Sequence, residues 1–441
     1  MKDEKLRKNL RHTIDISPMS KYQWAIVLMA TIMNFLDGFD VLAIAFTASA
    51  ISQDFALTKT EFGVLVSVGL MGMTMGSLVL TPLADKIGCR LMLLIAVTFS
   101  AIGMAISAIS QSYEMLGFSR VITGLGVGGG LVGTNVMTSE YSSAKWRSLA
   151  ISICSAGFGI DAMSGGILAA TLQIEYGWQS IYAIGAILAV LSGLMLFFYL
   201  PESIGYLTAK QPANALHRLN QITNKLGLVG VWQLTDKNNN PPAKLPISLL
   251  FSKQYLRATL VLWSAFFAIM FSFYFINSWT PALLKEAGMS MQASVNIGLM
   301  ISLGGAFGSL LYGLIASRWA AKSVLMLFSV LSAIAIILFT YYANHLSIAM
   351  IIGIIVGVFV NGCVSGLYAI TPMTYAANIR STGVGCAISA GRIGSILAPT
   401  IAGILLDGGL AKQDLYLCVA AIMLVATFIL VFKKPHIDAV A

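Results

Sequence analysis

Asp37 and Asp40 stand three residues apart in the stretch Asn34-Phe35-Leu36-Asp37-Gly38-Phe39-Asp40. On a helix that spacing puts both carboxyls on one face, and Asn34 extends the face by another turn. Two neighbouring acids in apolar surroundings resist double ionisation, so at least one is expected to hold a proton readily. The pair is a candidate proton carrier; the plainer alternative is a structural pair hydrogen-bonded to neighbouring helices. Arg392 lies about ten residues into a second apolar stretch. Arginine stays charged and can fork onto a carboxylate. Arg392 is therefore a candidate anchor for an organic anion, or a partner for Asp37 or Asp40 when no anion is bound. A permanent structural salt bridge is the alternative. Arg120, in a third apolar stretch, is expected to pair with an acid of the first, to guide anions inward, or to reach out to the interface.

The elements that must hold these groups follow from composition. The chain has 441 residues, 57% hydrophobic and 10% charged, against about 25% charged in an ordinary soluble domain. This excludes disorder, a secreted disulfide scaffold and an ordinary cytosolic enzyme. A helix needs about 20 apolar residues to cross a bilayer. Twelve stretches qualify, near 23–48, 62–83, 91–110, 115–138, 148–172, 178–200, 258–280, 293–316, 323–343, 347–371, 383–406 and 414–432. The predicted fold is all-α and membrane-embedded, with two pseudo-symmetric six-helix bundles at 22–200 and 258–432. A polar linker at 201–257 joins them, and residues 1–21 and 433–441 are tails. With the N-terminus inside, 22 of the 27 lysines and arginines face the cytoplasm. Lys59, Lys285 and Lys412 face outward, and Arg120 and Arg392 fall within spans. That asymmetry sets the topology, with both termini cytoplasmic. Residues 1–21 have no apolar core and so are not a cleaved signal peptide.

The halves echo one another. Gly72, Gly76, Thr81 and Asp85 have counterparts 232 residues later in Gly304, Gly308, Gly313 and Ser317, and Arg147-Ser148 returns as Arg380-Ser381. Such repeats suggest two bundles rocking about a central site. The run Gly124-Leu125-Gly126-Val127-Gly128-Gly129 fits a dinucleotide pattern but follows no strand; small residues that let helices approach explain it better. No phosphate-binding loop is present. The five cysteines include no CxxC pair, and the four histidines lie in tails or loops. No metal, cofactor or nucleic-acid partner is expected, and no enzymatic activity.

The loop after the second span, Pro82-Leu83-Ala84-Asp85-Lys86-Ile87-Gly88-Cys89-Arg90, resembles the signature of the major facilitator superfamily. Gly88 permits the tight turn. The resemblance implies that Asp85 and Arg90 serve an inner gate, with a one-sided latch because Ser317 replaces the acid in the second copy. Arg120 with Gly124, Gly126 and Gly128, and the stretch Pro201-Glu202-Ser203, fit the same family. The Asp37-Gly38-Phe39-Asp40 motif and Gly391-Arg392-Ile393-Gly394 resemble its aromatic acid:proton symporter branch. That branch implies an alternating-access carrier in a bacterial cytoplasmic (inner) membrane, importing benzoate-like carboxylates with protons. Its partners would be a small organic acid, protons and lipid, and a monomer is expected. Another carboxylate, a sugar or a drug is the alternative cargo.

Further site residues are expected on other spans. Span 7 supplies Phe267, Phe271, Phe273, Tyr274, Phe275, Asn277 and Trp279, and span 10 supplies Asn361 and Tyr368. These would stack on a flat ring or contact its substituents, unless they pack or face lipid. Asn34, Tyr274, Asn277, Asn361 and Tyr368 join Arg392 as the expected binding set. Glu140 and Arg147 are expected either to form an ion pair that locks the inner gate or to be a solvated pair. Asp161 is a further proton site or a hydrogen-bonding group. It stands where exporters of this superfamily carry a glycine of a Gly-Pro motif, which favours uptake.

Overall fold

The computed structural model describes residues 10–147, 149–151, 153–154, 172–173, 175–212, 214–228, 250–253, 255–343, 345–371, 373–375 and 380–432. Among these it contains helices and connecting turns and no strand. A short helix, α1 (Leu10–Ile16), precedes four long ones: α2 (Lys21–Asp54), α3 (Lys59–Ile87), α4 (Cys89–Ala108) and α5 (Tyr113–Tyr141). Then follow α6 (Gln179–Tyr199), α7 (Ile204–Lys210), α8 (Ala215–Leu226), α9 (Leu256–Glu286), α10 (Met291–Ala316), α11 (Ala321–Tyr342), α12 (Leu346–Ile370), α13 (Arg380–Asp407) and α14 (Lys412–Val431). Eleven of them are long and apolar enough to cross a membrane. They match eleven of the twelve expected spans. The fifth span, with Asp161, lies mostly outside the described residues, as do the 229–249 part of the linker and both extreme tails.

Local chemistry sets the boundaries. Ser112 and Ser290 accept the first-turn N–H groups of Met115 and Ala293 at 3.2 Å, which starts α5 and α10. Gly88 separates α3 from α4 at φ 101°, a conformation that a side chain disfavours. The spans run past the expected ends because their polar flanks continue the helix, as at Ser49–Asp54 in α2.

Two segments read as polar tail and linker carry docked helices. In α1 Leu10 and Ile14 lie four apart and are buried in a hydrophobic cluster that also holds Leu207 of α7 and Leu219 and Ile222 of α8. That apolar spacing is helical, but it is hidden in sequence by the surrounding charges.

The chain forms two compact units, residues 1–40, 71–161 and 182–241 in one, and 41–70, 162–181 and 242–441 in the other. The second half of α2 and the first half of α3 belong to the second unit, and their packing there explains it. A Cβ on Gly63 would collide with the Pro399 carbonyl of α13. Thr400 and Ser67 hydroxyls lie 2.8 Å apart, and Phe62 meets Trp279 of α9 edge-on at 5.3 Å.

The internal repeat is a repeat of packing. A Cβ on Gly72 would lie 2.6 Å from the Val121 carbonyl oxygen, and one on Gly76 would collide with that of Leu125, so α3 lies close on α5. In the second unit Gly304 and Gly308 hold α10 against Ile354 and Val358 of α12 in the same manner. Gly313 has open space around it and plays no such part.

Candidate functional site

In the first unit α2 and α5 carry the buried charges. Arg120 of α5 forks onto Asp40 of α2, Nη1 to Oδ1 at 2.6 Å and Nη2 to Oδ2 at 2.7 Å. Nη2 also donates to the Asp40 backbone carbonyl at 3.1 Å. Tyr182 of α6 places its ring 5.6 Å from the guanidinium carbon. Both ionic side chains are almost fully shielded, at 4% and 2% exposure. The cation on Asp40 is thus Arg120 and not Arg392. Short bidentate contacts of this kind are the strong ones, and their strength offsets the desolvation of both groups.

Asp37, one turn earlier, is equally buried; among the described residues it has no such cation, and its Oδ2 has no hydrogen-bond partner. It fits against α5 because residue 130 is glycine; a Cβ there would lie 2.7 Å from Oδ2. Asn34, the third member of the face, is occupied by protein. Its Oδ1 accepts the Thr134 hydroxyl at 2.8 Å, and its Nδ2 donates to the Cys154 carbonyl at 3.0 Å. Asn34 ties helices together, and no polar atom of its amide is left over for a ligand.

In the second unit Arg392 of α13 is half-buried, and among the described residues its guanidinium makes one hydrogen bond, a long 3.5 Å contact from Nη1 to the Tyr274 hydroxyl of α9. It has no carboxylate partner among the described residues. The glycines around it bring the helices close: Gly391 abuts Phe266 and Met270, and Gly394 abuts the Phe267 carbonyl. Tyr368 of α12 meets Phe266 edge-on at 5.8 Å. Tyr274, Tyr368 and Phe267 keep exposed surface, whereas Phe271, Phe275 and Trp279 are buried in packing. Asn277 and Asn361 each donate to a carbonyl four residues back, Phe273 at 2.8 Å and Gly357 at 3.2 Å.

The expected gate residues sort differently from their sequence reading. Arg147 pairs with Asp15 of α1, and not with Glu140. Glu140 instead accepts the Ser203 hydroxyl at 2.7 Å and the Gly205 N–H at 3.2 Å. The reason is α1, a helix docked where a polar tail is expected. Arg11 donates to the Glu140 carbonyl at 2.7 Å and the Ser139 carbonyl at 3.1 Å, capping the end of α5. Burial and the neighbouring Arg147 pull the Arg11 guanidinium below its ordinary value, while Asp15 and Glu140 pull it up. Arg90 donates its backbone N–H to Glu202 at 3.0 Å, which caps the start of α4, and its side chain reaches the Phe197 carbonyl. Asp85 is exposed and has no hydrogen bond or ion pair among the described residues. Glu202 was legible only as part of the Pro-Glu-Ser stretch, and Asp15 had no sequence signal beyond its charge.

Comparison with known proteins places this geometry in a family. The Major Facilitator Superfamily profile matches residues 30–309 and 297–440. The gallate transporter of Pseudomonas putida is 31% identical over 92% of this chain and 91% of its own. The 4-hydroxybenzoate transporter of Pseudomonas aeruginosa is 29% identical over 98% of both. A partially occluded, inward-open structure of the xylose transporter from E. coli superposes with a TM-score of 0.74 at 15% identity, covering 95% of this chain and 99% of the other. The chain belongs to the major facilitator superfamily and is a multi-pass membrane transporter, related along nearly its whole length to the aromatic-acid carriers of that family.

Proposed function

We propose that this transporter imports a small aromatic carboxylate together with protons, by alternating access, across the cytoplasmic membrane of a bacterium, with both termini inside. The observation that carries the reading is an asymmetry of charge. Asp40 is neutralised by Arg120, whereas the equally buried Asp37 has an oxygen without a partner. An ion left alone in such surroundings costs several kcal/mol, and a proton removes that charge. In the other unit Arg392 has no carboxylate of its own among the described residues. An arriving organic anion supplies one, and Tyr274, Tyr368 and Phe267 offer ring faces and hydroxyls beside it. Asp37 is then the proton carrier, Arg392 the anchor, and Asp40 with Arg120 a fixed strut. The names of the related carriers support the substrate class.

Reconstitution into proteoliposomes tests this. A panel of labelled benzoate-type, aliphatic and cationic compounds is presented under an imposed inside-alkaline pH gradient. Aromatic acids are expected to accumulate, and a protonophore to abolish the accumulation. Accumulation of aliphatic or cationic compounds in their place, or indifference to the gradient, contradicts the reading.

A further inference from the structure

Three cations escape the cytoplasmic bias of this chain, and all three belong to one cluster in the second unit. Glu286, at the end of α9, pairs with Lys59 at the start of α3 and with Lys412 at the start of α14, the latter at 3.4 Å. Asp407 of α13 accepts the backbone N–H groups of Lys59 at 3.1 Å and Thr60 at 2.8 Å. Lys285 has neither a hydrogen bond nor an ion pair among the described residues. It lines a cavity of about 330 Å³ together with Lys59, Glu286, Gln53, Phe62 and Trp279. That volume is at the small end of the roughly 300–1,000 Å³ of small-molecule sites. Three lysines thus meet two acids, and the uncommitted cation faces a cavity with aromatic residues in its wall.

We propose that this cavity is an outer capture site for the aromatic carboxylate, occupied before the anion reaches Arg392. The proposal rests on the transport reading and topology given above. Lys285 holds the carboxylate, and the ring lies along the apolar side of the cavity, which the packed Phe62 and Trp279 back from behind. The site would gather a dilute anion at the mouth, as clefts of one charge sign do. It would also act on the helices around it. Lys59 ties α3 to α9 through Glu286, and a carboxylate that shares Lys59 competes with that tie.

The test is side-specific kinetics, with labelled 4-hydroxybenzoate and benzoate as probes, in right-side-out and inverted vesicles. Lys285→Gln is expected to raise the KM at the outer face about fivefold, the upper end for a partly exposed ion pair. The KM at the inner face should stay at its wild-type value, the outward kcat should fall in proportion to the rise in outer KM because the variant cannot alter the transport equilibrium, and Lys285→Arg should restore the outer KM. An unchanged outer KM overturns the site, as does an equal rise at both faces. Wild-type vesicles that move no aromatic acid would overturn the transport reading and this site with it. Wild-type vesicles that do, beside an unaffected Lys285→Gln, overturn the site alone. Should the glutamine variant fail to reach the membrane, wild-type protein still decides. Its outer KM must rise with ionic strength while its inner KM does not, and a flat outer KM overturns the site.

Discussion

Asp37 and Asp40 share a helix face and a depth of burial, and sequence alone treats them as equals. What separates them is the residue opposite each on α5. Arg120 faces Asp40; Gly130 faces Asp37. A fork of two short hydrogen bonds holds Asp40 in place, and a glycine offers Asp37 room but no side-chain donor. The strut should matter for stability, because truncating one partner of a buried ion pair costs about 3–5 kcal/mol. Arg120→Gln is therefore expected to lower the melting temperature in detergent sharply. Adding Asp40→Asn should recover most of the loss, since the orphaned charge is gone. A double variant no more stable than Arg120→Gln would mean that the pair is not what the bundle needs.

At the scale of helices, the packing glycines are the working parts of the repeat. A Cβ on Gly308 would collide with the Val358 carbonyl, whereas Gly313, in the same helix, faces open space. Gly308→Leu should overpack the α10–α12 contact and cost about 1–3 kcal/mol. Gly313→Leu should stay within about 0.5 kcal/mol of wild type. Thermal melts of the two variants compare them directly, and equal losses would contradict the assignment. Eleven of the twelve long apolar stretches and the echo of Gly72 and Gly76 were readable from sequence, because lipid imposes length and hydrophobicity on every span. The docking of α1 was not, since two apolar residues among charges give a weak periodic signal. Nor were the partners of Arg147 and Glu140, because an ionic partner is set by tertiary approach and not by spacing along the chain. The motifs around Asp37, Arg120 and Arg392 fall on charges that the fold buries wholly or in part. Which acid Arg120 takes depends on the register of α5 against α2, and sequence does not carry that.

For the molecule as a whole, the proposed task sets its own energetics. Bringing a monoanion into a cell against an inside-negative potential costs about 2.3 kcal/mol per 100 mV. One accompanying proton cancels that charge, and a proton gradient then drives accumulation. A coupled carrier needs one group for each cargo; of the two proposed above, Asp37 lies in the first unit and Arg392 in the second. Substrate exchange between equal pools needs only the anchor and the conformational cycle. Net accumulation needs the proton as well. Asp37→Asn, which keeps the shape of the side chain and removes its titration, separates these demands in one preparation. Proteoliposomes containing it should exchange labelled aromatic acid at a rate close to wild type, yet accumulate none under an imposed inside-alkaline gradient. Gradient-driven accumulation equal to wild type in that variant would contradict the account at its centre.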